Sequence, residues 1–167
     1  FTSGLKLDTD LNANGGIYFM RADGSSPRKL TNFQTANFAF RLHGLDLPDD
    51  HASCSPDGKK LAFVADDGSD PRTESERTNN VSVARTDGGE GYTGYGPAHI
   101  WIATLDENPD KFAATKIERI TTDNAWYGDP QWTPDGKTII VHANRTSDRE
   151  SVRFSINKNY DIWAIDL

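Results

Sequence analysis

The stretches SPDGKKLAFV at residues 55–64 and TPDGKTIIV at residues 133–141 decide the fold of this chain. Proline fixes φ at the second position of a type I turn, Ser or Thr suits the first position, and Gly suits the last. The residues after each turn are apolar, and several are β-branched or aromatic, which is typical of a strand. Because the turn and strand occur twice with matching flanks, the chain contains an internal repeat.

Further segments of the repeat also recur. A strand in which an aromatic residue follows Ile is predicted three times, in GIYFMRADG at 16–24, HIWIATLD at 99–106 and DIWAIDL at 161–167. A segment with Leu or Ile before Thr occurs twice, as RKLTN at 28–32 and ERITT at 118–122. Together with a strand that leads into each turn, these segments predict a four-stranded antiparallel unit.

Four-stranded units in tandem bury both faces of each sheet when they stack around an axis, as in a β-propeller. The repeat resembles that of TolB-like β-propellers, which runs W-S-P-D-G-x-x-I-A-F, then I-Y-x-M-x-A-D-G, then L-T. Residues 17–24 match the second part, and residues 54–63 match the first part with Cys54 in place of Trp, whereas the second copy keeps Trp132. The resemblance implies an all-β fold, a β-propeller arc of four-stranded antiparallel blades from a ring of about six to eight blades.

The repeat divides the chain into three parts. Residues 1–50 hold the end of one blade and a connection, residues 51–127 one full blade with a long insertion, and residues 128–167 most of a third blade. Phe1 aligns with the interior of a strand and Leu167 follows an Ile-aromatic strand directly. We therefore expect an arc of roughly two and a half blades, completed by blades of the same or a partner chain.

The repeat also predicts strands, helix content and core. The expected strands are Leu61–Ala65, Ile100–Leu105, Glu118–Thr122, Thr138–Ala143 and Ile162–Ile165, with almost no helix. The expected core residues, at equivalent strand positions, are Phe63, Ile100, Ile102, Ile140, Ile162 and Ala164. Cys54 is interpreted as a buried thiol, and Trp101, Trp132 and Trp163 as packing between sheets.

The composition narrows the class of partner. A formal net charge of −7 argues against nucleic acid or an anionic membrane surface, and no membrane-inserting run occurs in the 167 residues. The single cysteine excludes an internal disulfide and a cysteine-based zinc site. The sequence lacks a G-x-S-x-G elbow, an H-E-x-x-H motif and a Gly-rich phosphate loop, so no catalytic residue is predicted.

Two classes of function remain open, because TolB-like repeats occur in both. The first is an extracytoplasmic scaffold, periplasmic or extracellular, that holds a protein or glycan partner on its rim loops. The second is the propeller portion of an enzyme, either a prolyl-oligopeptidase-like hydrolase with its catalytic domain outside this segment or a polysaccharide lyase. Function is expected in the loops: the long polar insertion at 66–97 is open to a binding role or to a flexible surface loop, whereas the mixed charges of 144–159 suit a solvent-facing insertion. The scattered His43, His51, His99 and His142 are interpreted as structural.

One loop suggests a cofactor. Oxygen-bearing side chains alternate at Asp8, Asp10, Asn12 and Asn14, and such spacing lets a short loop surround a calcium ion. The loop departs from an EF-hand where Ala13 replaces the expected Gly and Phe19 replaces the final acidic ligand. Calcium binding and a solvated, Asn- and Asp-rich hairpin loop therefore both remain open.

Overall fold

The computed structural model describes residues 2–3, 16–25, 27–30, 52–66, 69–86, 97–108, 111, 113–146, 148–154, 156 and 159–167. Within these residues the chain is mostly β-structure, in three antiparallel sheets with two short helices. This agrees with the predicted all-β class. The helices in this part of the chain are too short and too polar to span a bilayer.

The strands follow one another along the chain and pair with their neighbours. The first sheet has the order β1-β2-β3, the second β4-β5-β6-β7 and the third β10-β9-β8. The strands are β1 (Thr2–Ser3), β2 (Gly16–Phe19), β3 (Arg28–Lys29), β4 (Ser53–Cys54), β5 (Lys60–Asp66), β6 (Ala98–Leu105), β7 (Ala114–Arg119), β8 (Trp126–Trp132), β9 (Thr138–Asn144) and β10 (Asp161–Asp166). Helix α1 (Glu74–Thr78) lies between β5 and β6, and helix α2 (Arg149–Phe154) lies between β9 and β10.

The two turn motifs have the same hydrogen bonds, as the sequence predicts. In the first turn, Gly58 N donates to Ser55 O at 2.9 Å, and Ser55 Oγ donates to Asp57 Oδ1 at 2.6 Å. The second turn repeats these bonds from Gly136 and Thr133 at 2.9 and 2.7 Å. Both glycines have φ of +69°, a left-handed conformation that favours glycine. The hydroxyl and backbone donors hold the pKa of each turn carboxyl below its usual value.

The three sheets share one strand register. In each sheet the strand that precedes an Ile-aromatic strand pairs with it so that equivalent residues lie opposite each other. The equivalent pairs are Thr2 with Ile17, Val64 with Ile100, and His142 with Ile162. The internal repeat inferred from the sequence is therefore also a repeat of backbone pairing.

Four of the predicted strands are confirmed as β5, β6, β9 and β10, each longer by one or two residues than predicted. The strand predicted at Glu118–Thr122 corresponds to β7, but its bounds are wrong, because β7 begins at Ala114 and ends at Arg119. Thr121 leaves the ladder so that its hydroxyl can accept a hydrogen bond from Ile100 N at 3.0 Å. In the first sheet, β3 likewise ends directly before Leu30.

The second sheet is covered on both faces. On one face Ala62, Ile100 and Ile102 pack against Ile139, Val141 and Ala143 of the third sheet. On the other face Leu61, Phe63 and Ala103 pack against Leu30, which follows the first sheet. The alternation of side chains along β5 and β6 therefore provides two cores, one on each side of this sheet.

The predicted core is confirmed for Phe63, Ile100 and Ile102, which are all buried. It is wrong for Ile162, which is 75% exposed, and for Ala164, which is also exposed; Ile140 is half-buried. The burial of each residue depends on which face of its sheet it occupies. Ile140 lies opposite Ala164 in the ladder, and both belong to the face of the third sheet that points away from the second sheet.

The prediction of a buried thiol at Cys54 is also wrong, because this residue is exposed. The equivalent Trp132 donates from Nε1 to Ser53 O of the second sheet at 2.9 Å. The short Cys54 side chain cannot reach across to a neighbouring sheet in this way. The packing role is confirmed for Trp101 and Trp132, which contact the two cores, whereas Trp163 is 38% exposed.

We expect Ile102→Ala to lower the free energy of unfolding by about 2–5 kcal/mol, because it leaves a cavity between two packed sheets. Denaturant unfolding measures this change, with the exposed Lys116→Ala as the control. A loss below about 0.5 kcal/mol, the size expected for a surface substitution, would mean that the second and third sheets do not pack as described.

Candidate functional site

The candidate site lies at the end of the sheets where the insertions begin. The turn motifs precede β5 and β9, and the insertions that carry α1 and α2 follow the same two strands. The insertions therefore emerge from one edge of the stack, opposite the turn motifs. The segment between β7 and β8, with Asp123 and Asn124, returns to this edge.

A buried ion pair joins the two insertions. Arg153 donates from Nη1 to Glu76 Oε2 at 2.7 Å and from Nη2 to Oε1 at 2.8 Å. The two side chains are only 4% and 7% exposed. A guanidinium that binds both carboxylate oxygens fixes orientation as well as distance. The pair therefore sets how α1 and α2 lie against each other.

The carboxylate of Glu76 has further donors. Thr73 N and Thr73 Oγ1 donate to Oε2 at 2.7 and 2.8 Å, and Val83 N donates to Oε1 at 2.8 Å. Glu76 N in turn donates to Thr73 Oγ1, which completes a capping box at the start of α1. The Arg153 guanidinium and these backbone donors hold the pKa of Glu76 far below its usual value.

The chemistry of this edge includes a second polar cluster. Tyr127 donates from its hydroxyl to Asp123 Oδ1 at 2.8 Å, and Arg145 Nε donates to Asp123 Oδ2 at 3.1 Å. Burial and the bond to Asp123 raise the pKa of Tyr127 to about 12. The Arg145 guanidinium lies 4.4 Å from the centre of the Trp163 ring, a cation–π distance. Arg145 and Trp163 line an open cavity of about 480 Å³.

The residues predicted from the sequence to bind calcium are not part of this edge as the structure describes it. Asp8, Asp10, Asn12 and Asn14 lie outside the described residues, so calcium binding stays a prediction. Among the residues that the structure describes, no group of three or more His, Cys, Asp or Glu side chains is placed to hold a metal ion.

The histidines also differ in their positions. His43 and His51 lie outside the described residues. His99 is buried, with Nδ1 3.1 Å from Thr121 Oγ1. His142 packs edge-on against the Tyr160 ring at 5.1 Å between centroids, and its ring occupies the space that a Cβ at position 128 would need, which explains Gly128.

Sequence reasoning located the insertions but missed the residues that join them. The capping box is visible in the sequence, because Thr73 and Glu76 have the T-x-x-E spacing of a helix start. The partner of Glu76 is not visible, because Arg153 lies in a different insertion. No model of a known protein family matches this chain, and no curated protein shows significant similarity to it.

The ion pair predicts a particular acid sensitivity. The pKa of Glu76 is lowered in the folded protein, so its contribution to stability is complete above the unfolded value near 4.5 and is lost as the pH falls below that value. We expect Glu76→Gln to lower the free energy of unfolding at pH 7 and to flatten the decline of that energy below about pH 4.5. Denaturant unfolding at several pH values measures both effects.

The matched control is Glu74→Gln, which neutralises an exposed carboxylate in the same helix. It should leave both the stability at pH 7 and the acid decline close to those of the unchanged protein. An acid decline that persists in full in Glu76→Gln would contradict the role given to the Glu76–Arg153 pair.

Proposed function

We propose that this chain is an arc of a TolB-like β-propeller and serves as an extracytoplasmic binding scaffold for a protein or glycan partner. The periplasmic or extracellular location rests on the resemblance of the repeat to that family. The partner is held at the edge of the stack where the insertions with α1 and α2 lie. This edge is called the insertion rim below.

One observation carries the propeller part of the proposal. Ile100 in the second sheet and Ile162 in the third occupy equivalent places in the repeat, yet Ile100 is fully buried and Ile162 is 75% exposed. The third sheet covers Ile100. A further sheet of the same kind, placed on the third sheet as the third is placed on the second, would cover Ile162 and Ala164 in the same way.

The direction of stacking supports a closed ring. Leu61 and Phe63 of β5 pack with Leu30, which follows β3, and their equivalents Ile139 and Val141 of β9 pack against the second sheet. The second and third sheets therefore use equivalent strand positions for the face that points to the preceding part of the chain, and the second sheet uses its opposite face for the sheet that follows. Repeated head-to-tail contacts form either a closed ring or an open filament, and a closed ring is the arrangement by which a propeller protects its sheets.

The insertion rim has features of a binding surface. The Glu76–Arg153 pair fixes the two insertions relative to each other, and a surface that is ordered in advance binds with a smaller entropic cost. Val81 and Val83 follow α1 and are 51% and 49% exposed, while Val83 N is held by Glu76. Exposed apolar side chains on a fixed backbone favour a protein partner.

The ring proposal predicts the energetic role of Ile162. In the protein as its gene encodes it, Ile162→Ala should lower the free energy of unfolding by about 2–5 kcal/mol, like the equivalent Ile100→Ala, because another sheet covers the site. Denaturant unfolding of the two variants measures this. If Ile100→Ala has that cost and Ile162→Ala changes stability by less than about 0.5 kcal/mol, the third sheet has an open face and the ring proposal is wrong.

The scaffold proposal predicts that binding depends on the exposed valines. We expect the double variant Val81→Asp/Val83→Asp to lose a protein that co-purifies with the unchanged chain from the cells that express it, because two carboxylates would enter an apolar contact. Quantitative mass spectrometry of the purified complexes measures this loss. The control is Met20→Asp, which changes an exposed apolar residue directly after β2, outside both insertions. Equal recovery of all partners in both variants would contradict binding at the rim.

A further inference from the structure

The open cavity of about 480 Å³ at the insertion rim lies between the β7–β8 connection and the third sheet. Asp123 and Asn124 of that connection line it, together with Arg145 and Thr146, which follow β9, and Trp163 of β10. It is called the Trp163 cavity below. Its volume lies within the range of about 300–1,000 Å³ that is usual for small-molecule sites.

The tryptophan of this cavity differs from its equivalent in the second sheet. Trp101 donates from Nε1 to Ala65 O at 3.1 Å and packs against the core on its face of the second sheet. Trp163 is 38% exposed, and no described residue accepts a hydrogen bond from its Nε1. An exposed indole offers both an apolar surface and an N–H donor to a ligand.

The cavity lies on the face of the third sheet that points to the second sheet. Trp163 is opposite Val141 in the ladder, and Val141 belongs to the core between these two sheets. Residues that are directly opposite in a ladder share a face, whereas the next residue along the strand, Ile162, belongs to the other face. A further sheet that covered Ile162 would therefore not lie over the Trp163 cavity.

The polar side chains of the cavity hold one another in place. Asp123 accepts hydrogen bonds from Tyr127 and from Arg145 Nε, and the Arg145 guanidinium lies against the Trp163 ring. Nη1 and Nη2 of Arg145 and the side-chain amide of Asn124 form no hydrogen bond with a described residue. The cavity thus combines donors and acceptors with an aromatic surface.

The charges of the cavity favour a neutral ligand. The charged side chains among the described lining residues are Asp123 and Arg145, which pair with each other and are 40% and 42% exposed. An anionic ligand would meet the carboxylate, and a cationic ligand would meet the guanidinium. No described lining residue is aliphatic, whereas protein partners usually insert apolar anchors into a binding surface.

A sugar ring has the chemistry that this lining fits. A pyranose presents C–H groups on its faces and hydroxyls around its edge, and each hydroxyl both donates and accepts hydrogen bonds. The C–H groups match the indole of Trp163, and the hydroxyls match Arg145, Asp123 and Asn124. A second cavity, of about 350 Å³, shares Asn124 in its lining, so a ligand of several rings can extend from one cavity into the other.

We propose that the Trp163 cavity binds one ring of a neutral oligosaccharide, with Trp163 as the apolar surface and Arg145, Asp123 and Asn124 as hydrogen-bond partners. This inference rests on the proposed scaffold function, because it names the class of partner at one place on the insertion rim. The two fail separately. Absence of sugar binding would leave the result of the co-purification test with the exposed valines unchanged, since those residues do not line this cavity.

The test follows the indole N–H of Trp163. The protein as its gene encodes it is labelled with ¹⁵N-tryptophan, and the Trp163 Nε1–H resonance is assigned from its absence in Trp163→Phe. Cellotetraose, maltotetraose and N-acetylated chitotetraose are titrated separately, and sorbitol is the control that has hydroxyls but no ring. We expect at least one oligosaccharide to shift this resonance saturably at millimolar concentrations or below, and sorbitol to leave it unchanged.

Variants show whether the described side chains hold the sugar. Trp163→Ala should raise the oligosaccharide concentration at half-saturation about tenfold, and Trp163→Phe should raise it less, because the smaller ring keeps part of the aromatic surface. Asn124→Ala should raise it about fivefold, because it removes neutral hydrogen bonds. The control is Lys116→Ala, which changes an exposed residue of β7 and should leave binding unchanged. Ligand-observed NMR measures binding in every variant, and melting temperatures check that each is folded.

The other outcomes decide against the proposal in distinct ways. A Trp163 resonance that moves with none of the oligosaccharides, or moves equally with sorbitol, would overturn it. Tighter binding of trigalacturonate than of every neutral sugar would overturn the assignment to a neutral ligand, and tighter binding of tetraalanine would assign the cavity to a peptide. Unchanged sugar binding in both Trp163→Ala and Asn124→Ala would place the sugar elsewhere on the protein.

Discussion

The contact between the faces of neighbouring sheets is the constraint on which the rest of this structure depends. A sheet with apolar side chains on both faces must be covered twice, because each uncovered face leaves apolar area in water. The second sheet meets this requirement with Leu61 and Phe63 on one face and Ala62 and Ile102 on the other. The sheets are thus held in a stack, and the insertions of consecutive sheets meet at one edge.

Much of this arrangement could be predicted from local sequence. The turn motifs specify their own hydrogen bonds, since Pro, Asp and Gly at successive positions admit few other conformations. The strands after the turns follow from their apolar composition. Their common register with the Ile-aromatic strands does not follow from the turns, because insertions of different length separate the two strands of each pair. Thr121 was misplaced because its hydroxyl can serve the backbone of the neighbouring strand, and a strand pattern does not distinguish that role from continued pairing.

Burial was less predictable than strand position, because it depends on what lies beyond the sheet. Ile100 and Ile162 have the same local sequence context, and only the third sheet makes them different. Cys54 and Trp132, which are equivalent in the repeat, also differ in burial in a way that local sequence did not predict. The repeat predicts a large apolar residue at both positions. The indole of Trp132 reaches from the third sheet to Ser53 O of the second sheet, whereas the Cys54 side chain is too short for an equivalent contact.

At the insertion rim, too, some contacts could be predicted from neighbouring residues in the sequence and others could not. Thr73 and Glu76 form a capping box that four consecutive residues specify, whereas the bond from Glu76 to Arg153 joins two insertions on different sheets. Removing such a pair from water is costly, and an apolar pair of equal volume is often at least as stable. The bidentate geometry instead fixes one orientation of α1 against α2, which apolar contacts alone would leave free to slide. The apolar faces thus hold the sheets together, and the ion pair fixes the two insertions at the edge where we propose that a partner binds.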